Sequence, residues 1–277
     1  MKVISFINMK GGVGKSTMAT NVAQHLSERL GQRVLIVDID PQFNATQCVI
    51  NTVSYVNHMK NGGDTICDVF YNSKIKLSTI SGPSENTPKE LKDITPVAIK
   101  DNLHIIPGSL GLYKIEMKPG EGVENRLKKY LKLRENDYDY VIIDTPPTPS
   151  VWMSSALIAS NYYLIPVKPD PLSITGIDLL DSIISEKREN FDLKIECAGI
   201  VFNMVDGTSN LYRESRDFFS KHKIWKSKIF KAYLQKRTAL ARHQTKGLFI
   251  NDLGDNDMKL SLSKIVDELR TRISDDE

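Results

Sequence analysis

The stretch Lys10-Gly11-Gly12-Val13-Gly14-Lys15-Ser16-Thr17 decides how the rest of the chain is read. It follows the β-branched and aromatic run from Val3 to Ile7. After it come Ala19, Val22, Ala23, Leu26 and Leu30, which fall on one helical face. The order is therefore strand, glycine loop, helix. Glycines allow backbone N–H groups to turn inward, and a helix N-terminus adds a field that favours an anion. Residues 10–17 thus form a phosphate cradle, with Lys15 reaching the β and γ phosphates and the Ser16 hydroxyl placed to ligate Mg²⁺. The strict P-loop pattern wants glycine where this chain has Met9, so the match departs from it at one position.

Working outward, Gly31 supplies a helix stop, and Arg33 to Val37 reads as a fully buried strand ending at Asp38. Further apolar strands are expected at Leu103–Pro107, Tyr140–Asp144, Tyr163–Val167 and Ala198–Asn203, with helices between them such as Ile174–Ile184 and Leu211–Lys221. Continuous apolar strands alternating with helices imply an α/β fold, a mostly parallel twisted sheet with helices on both faces. A chain of 277 residues suffices for one such core, so residues 1–277 are read as a single P-loop NTPase domain. Residues 51–101 are polar and carry Gly62-Gly63, Gly82-Pro83 and Pro88; they read as excursions on the sheet's rim, with Ile66–Tyr71 a compact helical piece. The last periodic segment, Leu260 to Ile273, bears Asp267 and Glu268 and runs into Asp275-Asp276-Glu277, a charge pattern that favours packing on the domain over lying on a membrane.

Composition narrows the class. At 40% hydrophobic and 26% charged residues the chain falls in the globular range, and a net charge of +3 permits nucleic-acid contact without demanding it. Cys48, Cys67 and Cys197 show no paired spacing, which suits a reducing compartment and gives no metal-ligand pattern. The N-terminal apolar run ends at Asn8, too short for a signal peptide, and no stretch approaches a membrane span, so a cytoplasmic location is expected.

Carboxylates follow two of the strands. Val37-Asp38-Ile39-Asp40-Pro41-Gln42 brings two aspartates to the carboxyl end of the sheet, where α/β proteins place ligands, and extended geometry would turn both toward the γ-phosphate. Ile142-Ile143-Asp144-Thr145-Pro146-Pro147 ends another apolar strand in an acid, which is costly unless the acid is solvated or beside a cation such as Mg²⁺.

Taken together, Lys10 through Thr17 and Ile142 through Pro147 resemble the deviant Walker A and Walker B segments of the ParA/MinD family of P-loop ATPases, and the resemblance also covers Val37 through Thr46. Looser similarity at Leu103–Leu112, Ile165–Gly176 and Gly199–Asp206 extends the resemblance over most of the chain. It implies ATP and Mg²⁺ as cofactors and a homodimer when ATP is bound. Lys10 would then cross the interface to the partner's nucleotide, a lysine counterpart of the arginine finger, whose contribution to rate is ~10³–10⁵. Carried over in the same way, Asp38 would hold Mg²⁺ through water together with Ser16 and Asp144, Asp40 would orient the attacking water, and Asn203 would read the adenine amino group.

The branch is decided after Asp217, where no acidic residue appears until Asp252. That interval holds Lys221, Lys223, Lys226, Lys228, Lys231, Lys236, Arg237, Arg242 and Lys246, with Trp225, Phe230 and Tyr233 interleaved. Residues 218–251 therefore form the candidate DNA-binding segment, with Lys228, Lys231, Arg237 and Arg242 the best candidates for sequence-independent phosphate contacts. This is similar to the DNA-partitioning, ParA/Soj-type branch. It implies a nucleoid-associated ATPase stimulated by a centromere-binding, ParB-like partner, with no membrane role and no helix-turn-helix domain upstream of the loop. The alternatives are a MinD-like membrane-associated positioning ATPase, a ParA-like ATPase that positions protein clusters, a reductase like the nitrogenase iron protein, and an interaction module with a degenerate nucleotide site. The reductase needs cluster-binding cysteines, a pattern these three do not make. The degenerate module is disfavoured by the presence of Lys15, Ser16, Asp40 and Asp144.

Overall fold

Strand β1 (Lys2–Phe6) sends Ile4 and Phe6 to one face of the sheet and Val3 to the other, and all three are buried. The same division repeats in β2 (Val34–Asp38), where Val34 and Ile36 oppose Leu35 and Val37, and in β5 (Tyr140–Asp144), where Ile142 opposes Val141 and Ile143. Strands apolar on both faces must be covered on both, which the helices accomplish. The sheet is completed by β3 (Val97–Lys100), β4 (Leu103–Ile106), β6 (Tyr162–Val167) and β7 (Glu196–Phe202), in the spatial order β3-β4-β2-β5-β1-β6-β7. Every pairing is parallel except β3 with β4, which is antiparallel and carries a register shift between Ala98 and Lys100. The computed structural model describes residues 1–71, 89–170, 173–207, 209–244 and 246–274, without the side chains of 173–175, 241 and 242.

One face of the sheet is covered by α1 (Lys15–Leu30) and by α11 (Asn256–Arg272), whose Leu262, Ile265, Val266 and Leu269 are buried. α1 ends in a Schellman turn: Gly31 at φ 66° returns its N–H to Ser27 and Gln32 donates to Leu26. The opposite face is covered by α4 (Ile66–Phe70), α5 (Leu112–Met117), α6 (Arg126–Lys132) and α7 (Val151–Ala159). A third cluster packs α8 (Ser173–Phe191) and α9 (Leu211–Lys221) beside β6 and β7. Short helices α2 (Asn44–Val49), α3 (Thr52–Lys60) and α10 (Thr238–Gln244) lie along the carboxyl end of the sheet or its rim.

The single α/β domain and its mostly parallel sheet agree with the sequence reading, and the boundaries of β5 and α9 coincide with those expected. The rim carries more structure than expected. Besides α4 it contains α3, of which no residue is buried, and the antiparallel strand β3. Gly82-Pro83, Pro88 and Asp275 to Glu277 lie outside the described residues.

Beyond β7 the chain returns as an extended segment, residues 228–236. Ile200 donates to Lys228 and accepts from Phe230, and Phe202 accepts from Leu234, as in a strand ladder. Gly199 at φ 144° makes this approach feasible, since a Cβ there would stand 2.4 Å from the Lys228 carbonyl. The same segment explains the aromatic residues of the basic run. Trp225 and Phe230 are buried and Tyr233 is half-buried against the third cluster, so these rings are core rather than platforms for bases.

Candidate nucleotide site

The chain between β1 and α1 is anchored before it turns. Asn8 donates to the Pro166 carbonyl at 2.7 Å and accepts from Lys10 N–H at 2.8 Å. Gly12 and Gly14 then take φ of 72° and 80°, values that L side chains rarely adopt. Gly14 is constrained twice, because a Cβ there would also come within 2.4 Å of the Asn203 side-chain nitrogen. The loop and the start of α1 wall a cavity of about 400 Å³ bordered by Gly11, Gly12, Gly14, Lys15, Ser16 and Thr17. Asp40, Gln42, Asn44 and Gln47 face them, with Cys48, Pro147, Met204 and Gln244 closing the sides. Phe43 and Met204, two of three non-glycine residues with positive φ among those described, stand in the loops around this cavity, where backbone strain tends to gather.

The carboxylates divide their work differently from the sequence reading. Asp38 and Asp144 end adjacent strands in register, and both are fully buried. Asp38 does not border the cavity: its Oδ2 accepts from the Thr46 N–H and hydroxyl, each at 2.7 Å, and so fastens α2 to the sheet. Only Asp40 of the pair reaches the cavity, and its Oδ1 accepts from Gln42 N–H at 2.9 Å. Asp38, like Asp144, lies fully buried behind the wall of the cavity, and Asp40 stands in the wall itself. The backbone leaves the strand at Asp38, so two-residue alternation no longer applies at Asp40.

Among the described residues Asp144 has no hydrogen-bond partner for either carboxylate oxygen. Burial pushes its pKa up to about 7, opposed by the nearby Ser16 hydroxyl and the Lys15 ammonium. Burial also holds Asp38 well above the usual carboxylate range, and the Asp144 charge adds to this against the bonds from Thr46. Lys15 is shifted down by burial, with Asp144 and Asp40 pulling it back. Two buried acids, one of them unpaired, beside a hydroxyl and a phosphate cradle are the environment a divalent cation resolves. Among the described residues no cluster of three or more His, Cys, Asp or Glu side chains is arranged to hold a metal alone.

Three other expected residues lie outside the lining of this cavity. Lys10 does not border the cavity of its own chain, and its ammonium lies 2.5 Å from both carboxylate oxygens of Asp170. Val13 is buried, and its carbonyl accepts from the Asn203 amide at 2.8 Å. Asn203 also donates to the Gly14 carbonyl and accepts from Met204 N–H, so it clamps the loop from behind. Gln47, Cys48, Met204 and Gln244 were missed in the sequence. A residue such as Gln244, more than two hundred positions from the loop, carries no local signal there.

In the basic segment, Lys221, Lys223, Lys226, Lys231, Lys236, Arg237 and Lys246 are exposed. Of the four best candidates, Lys231 stands at the surface with its ammonium in no ion pair among the described residues. Lys228 turns its ammonium to the Cys197 carbonyl at 3.1 Å and is half-buried. Arg237 pairs with Asp255 at 2.9 Å, and the Arg242 side chain lies outside the described residues. No described helix is long and apolar enough to cross a membrane.

A glycine loop between β1 and α1, beside an acid at the end of the neighbouring strand β5, defines a P-loop nucleotide-binding protein. A family model described as an AAA domain matches residues 1–197. The sporulation initiation inhibitor protein Soj of Bacillus subtilis is 30% identical over 250 residues, covering 89% of this chain and 88% of that protein. The virulence plasmid ParA family protein pGP5-D of Chlamydia psittaci is 26% identical over 290 residues, covering 100% of this chain and 97% of its own. Among solved structures, a plasmid partition protein of Borrelia burgdorferi bound to AMPPNP superposes with a TM-score of 0.73 at 23% identity, over 98% of this chain and 99% of that one. The chain belongs to the ParA/MinD family of P-loop ATPases.

Proposed function

We propose that this chain is a partition ATPase that binds ATP with Mg²⁺, pairs with a second copy over the nucleotides, and in that state holds DNA without regard to sequence. The observation that carries the nucleotide reading is the buried Asp144, which lies behind Ser16 and Lys15 of the loop and whose carboxylate has no partner among the described residues. The nucleotide held by a similar protein supports it, since the Borrelia structure contains AMPPNP.

In this mechanism the N–H groups of Gly11 to Gly14 and the Lys15 ammonium hold the β and γ phosphates. Ser16 and Asp144 are the residues that would hold Mg²⁺, which when bound would supply neutralisation of charge on the phosphate oxygens. Asp40, at the cavity wall, orients the attacking water. Asp38 ties α2 to the sheet and thereby fixes the loop that carries Asp40. Lys10 leaves Asp170 and reaches the partner's nucleotide, so turnover is slow until two copies meet and until a centromere-binding, ParB-like protein stimulates it. Exposed Lys231 and Lys236, with Arg242, supply phosphate contacts to DNA, which would place the ATP-bound dimer on the nucleoid.

Sedimentation with Mg²⁺ and a non-cleavable ATP analogue tests the central step. A nucleotide-dependent dimer is expected, and Asp40→Ala is expected to keep that dimer in ATP while hydrolysis falls at least about a hundredfold. A chain that stays monomeric with the analogue bound would end the proposal. Normal turnover by the Asp40 variant would remove the role given to that residue.

A further inference from the structure

Phe43, the residue before α2, stands at φ 44° and ψ 41°, in the left-handed region. Glycine enters that region freely, whereas a bulky side chain there is an outlier that its surroundings must hold in place. The conformation closes a tight turn, in which the Phe43 N–H donates to the Asp40 carbonyl at 2.8 Å. Inside the same turn the Asp40 carboxylate accepts from the Gln42 N–H. Asp40, Gln42 and Asn44 all border the cavity, so the direction in which Asp40 faces it is set by a turn that ends on a strained residue.

What holds Phe43 comes from outside its own loop. Its ring stacks on that of Tyr55 in α3, with centroids 5.4 Å apart and an interplanar angle of 15°. Tyr55 and His58 are the two side chains of α3 that are partly covered, and the rest of the helix is exposed. The Tyr55 hydroxyl donates to the Gly108 carbonyl at 2.9 Å. The Gly108 N–H donates to the Thr46 hydroxyl at 2.8 Å, which itself donates to Asp38. Gly108 permits this closeness, because a Cβ on it would come within 2.6 Å of the Phe43 Cβ and 2.8 Å of the Asp38 carboxyl carbon. Phe43 is thus clasped between α3 and the loop after β4.

We propose that Phe43 and Tyr55 are a positioning pair: the stack holds the left-handed turn that points Asp40 into the cavity, so docking of α3 governs the hydrolytic step and not the hold on nucleotide. The proposal rests on the role given to Asp40 above and goes beyond it by naming what keeps that carboxylate in place. Neither ring borders the cavity, so both act through the backbone of residues 40–43.

ATP turnover at saturating Mg²⁺-ATP and affinity for a fluorescent ATP analogue, measured side by side on the full chain, separate the two effects. Tyr55→Ala, a change on a mostly exposed helix, is expected to slow turnover about tenfold while affinity stays within about twofold. Tyr55→Phe keeps the stack and should hold turnover within about threefold of the unaltered protein. The decisive variant adds Phe43→Gly to Tyr55→Ala. Glycine takes a φ of 44° unaided, so the double substitution should recover most of the lost turnover, a rescue that general loss of fold would not produce. Turnover by Tyr55→Ala within about twofold of the unaltered protein, affinity falling in step with turnover, or a double variant no faster than Tyr55→Ala would each overturn the pairing. Normal turnover by Asp40→Ala would instead remove the role of Asp40 itself, so the two failures are distinct.

Discussion

At the scale of single residues the site trades stability for chemistry, and Asp144 shows this most directly. Its pKa is raised to about 7 by burial, so between about pH 4 and that value the folded chain binds protons that the unfolded chain does not. Stability of the nucleotide-free protein is therefore expected to fall as pH rises through that window. Asp144→Asn should flatten this dependence and raise stability at pH 8 by an amount on the order of a few kcal/mol, while weakening Mg²⁺-dependent nucleotide binding. Denaturant titrations at pH 5 and pH 8 check it, and an Asn variant less stable than the unaltered chain at pH 8 would be inconsistent with an unpaired buried acid. Asp170 makes the second residue-level case. Asp170→Asn removes the carboxylate that holds Lys10, so basal ATP turnover should change while affinity for nucleotide in the monomer does not, because Lys10 lies outside that cavity. The loop was legible from its spacing, because phosphate geometry dictates which residues stand where, and Asp40 from the resemblance of the segment that carries it. The positions of Asp38 and Asn203 were not. Whether a buried polar side chain faces the ligand or ties down its own backbone depends on tertiary partners, Thr46 in one case and the Val13 and Gly14 carbonyls in the other.

At the scale of elements, the extended segment 228–236 separates two roles that the sequence had merged. Phe230 is buried and carries the Arg272 guanidinium 4.4 Å from its ring centre, so Phe230→Ala is expected to destabilise the fold by about 3–5 kcal/mol. Lys231 and Lys236 are exposed, and replacing both with Ala should leave the melting temperature within a degree or two of the unaltered chain yet weaken DNA retention. For every DNA phosphate that a lysine no longer neutralises, the slope of log affinity against log salt should become shallower by about 0.9. Filter binding across a salt series measures that slope, and an unchanged slope would show that the two lysines do not touch DNA. The strands β1, β2, β4, β5, β6 and β7 were readable because parallel strands buried on both faces are written as unbroken apolar runs. β3 was not, since Val97-Ala98-Ile99-Lys100 is an edge strand whose residues are only partly covered or exposed. α3 was missed for a related reason: none of its residues is buried, so no apolar stripe betrays it.

At the scale of the whole molecule, occupancy of the cavity should be felt as global stability. A ligand at a hundred times its dissociation constant stabilises by ~2.7 kcal/mol, which for a domain of this size corresponds to a melting-temperature rise of roughly 5–10 °C. Scanning calorimetry with Mg²⁺ and a non-cleavable ATP analogue is expected to show that rise, and Lys15→Ala to abolish it. The sheet itself sets one further condition on how copies of the chain meet. One margin is a four-residue strand running against its neighbour with a slipped register, and the other is sealed by the returning segment 228–236. Among the described residues neither border offers a long open row of main-chain donors and acceptors to a neighbour, the arrangement by which natural proteins avoid edge-to-edge growth. As far as the described residues go, an assembly of this protein, whether a pair or a polymer, is therefore expected to form through side chains and loops and to come apart without breaking a sheet.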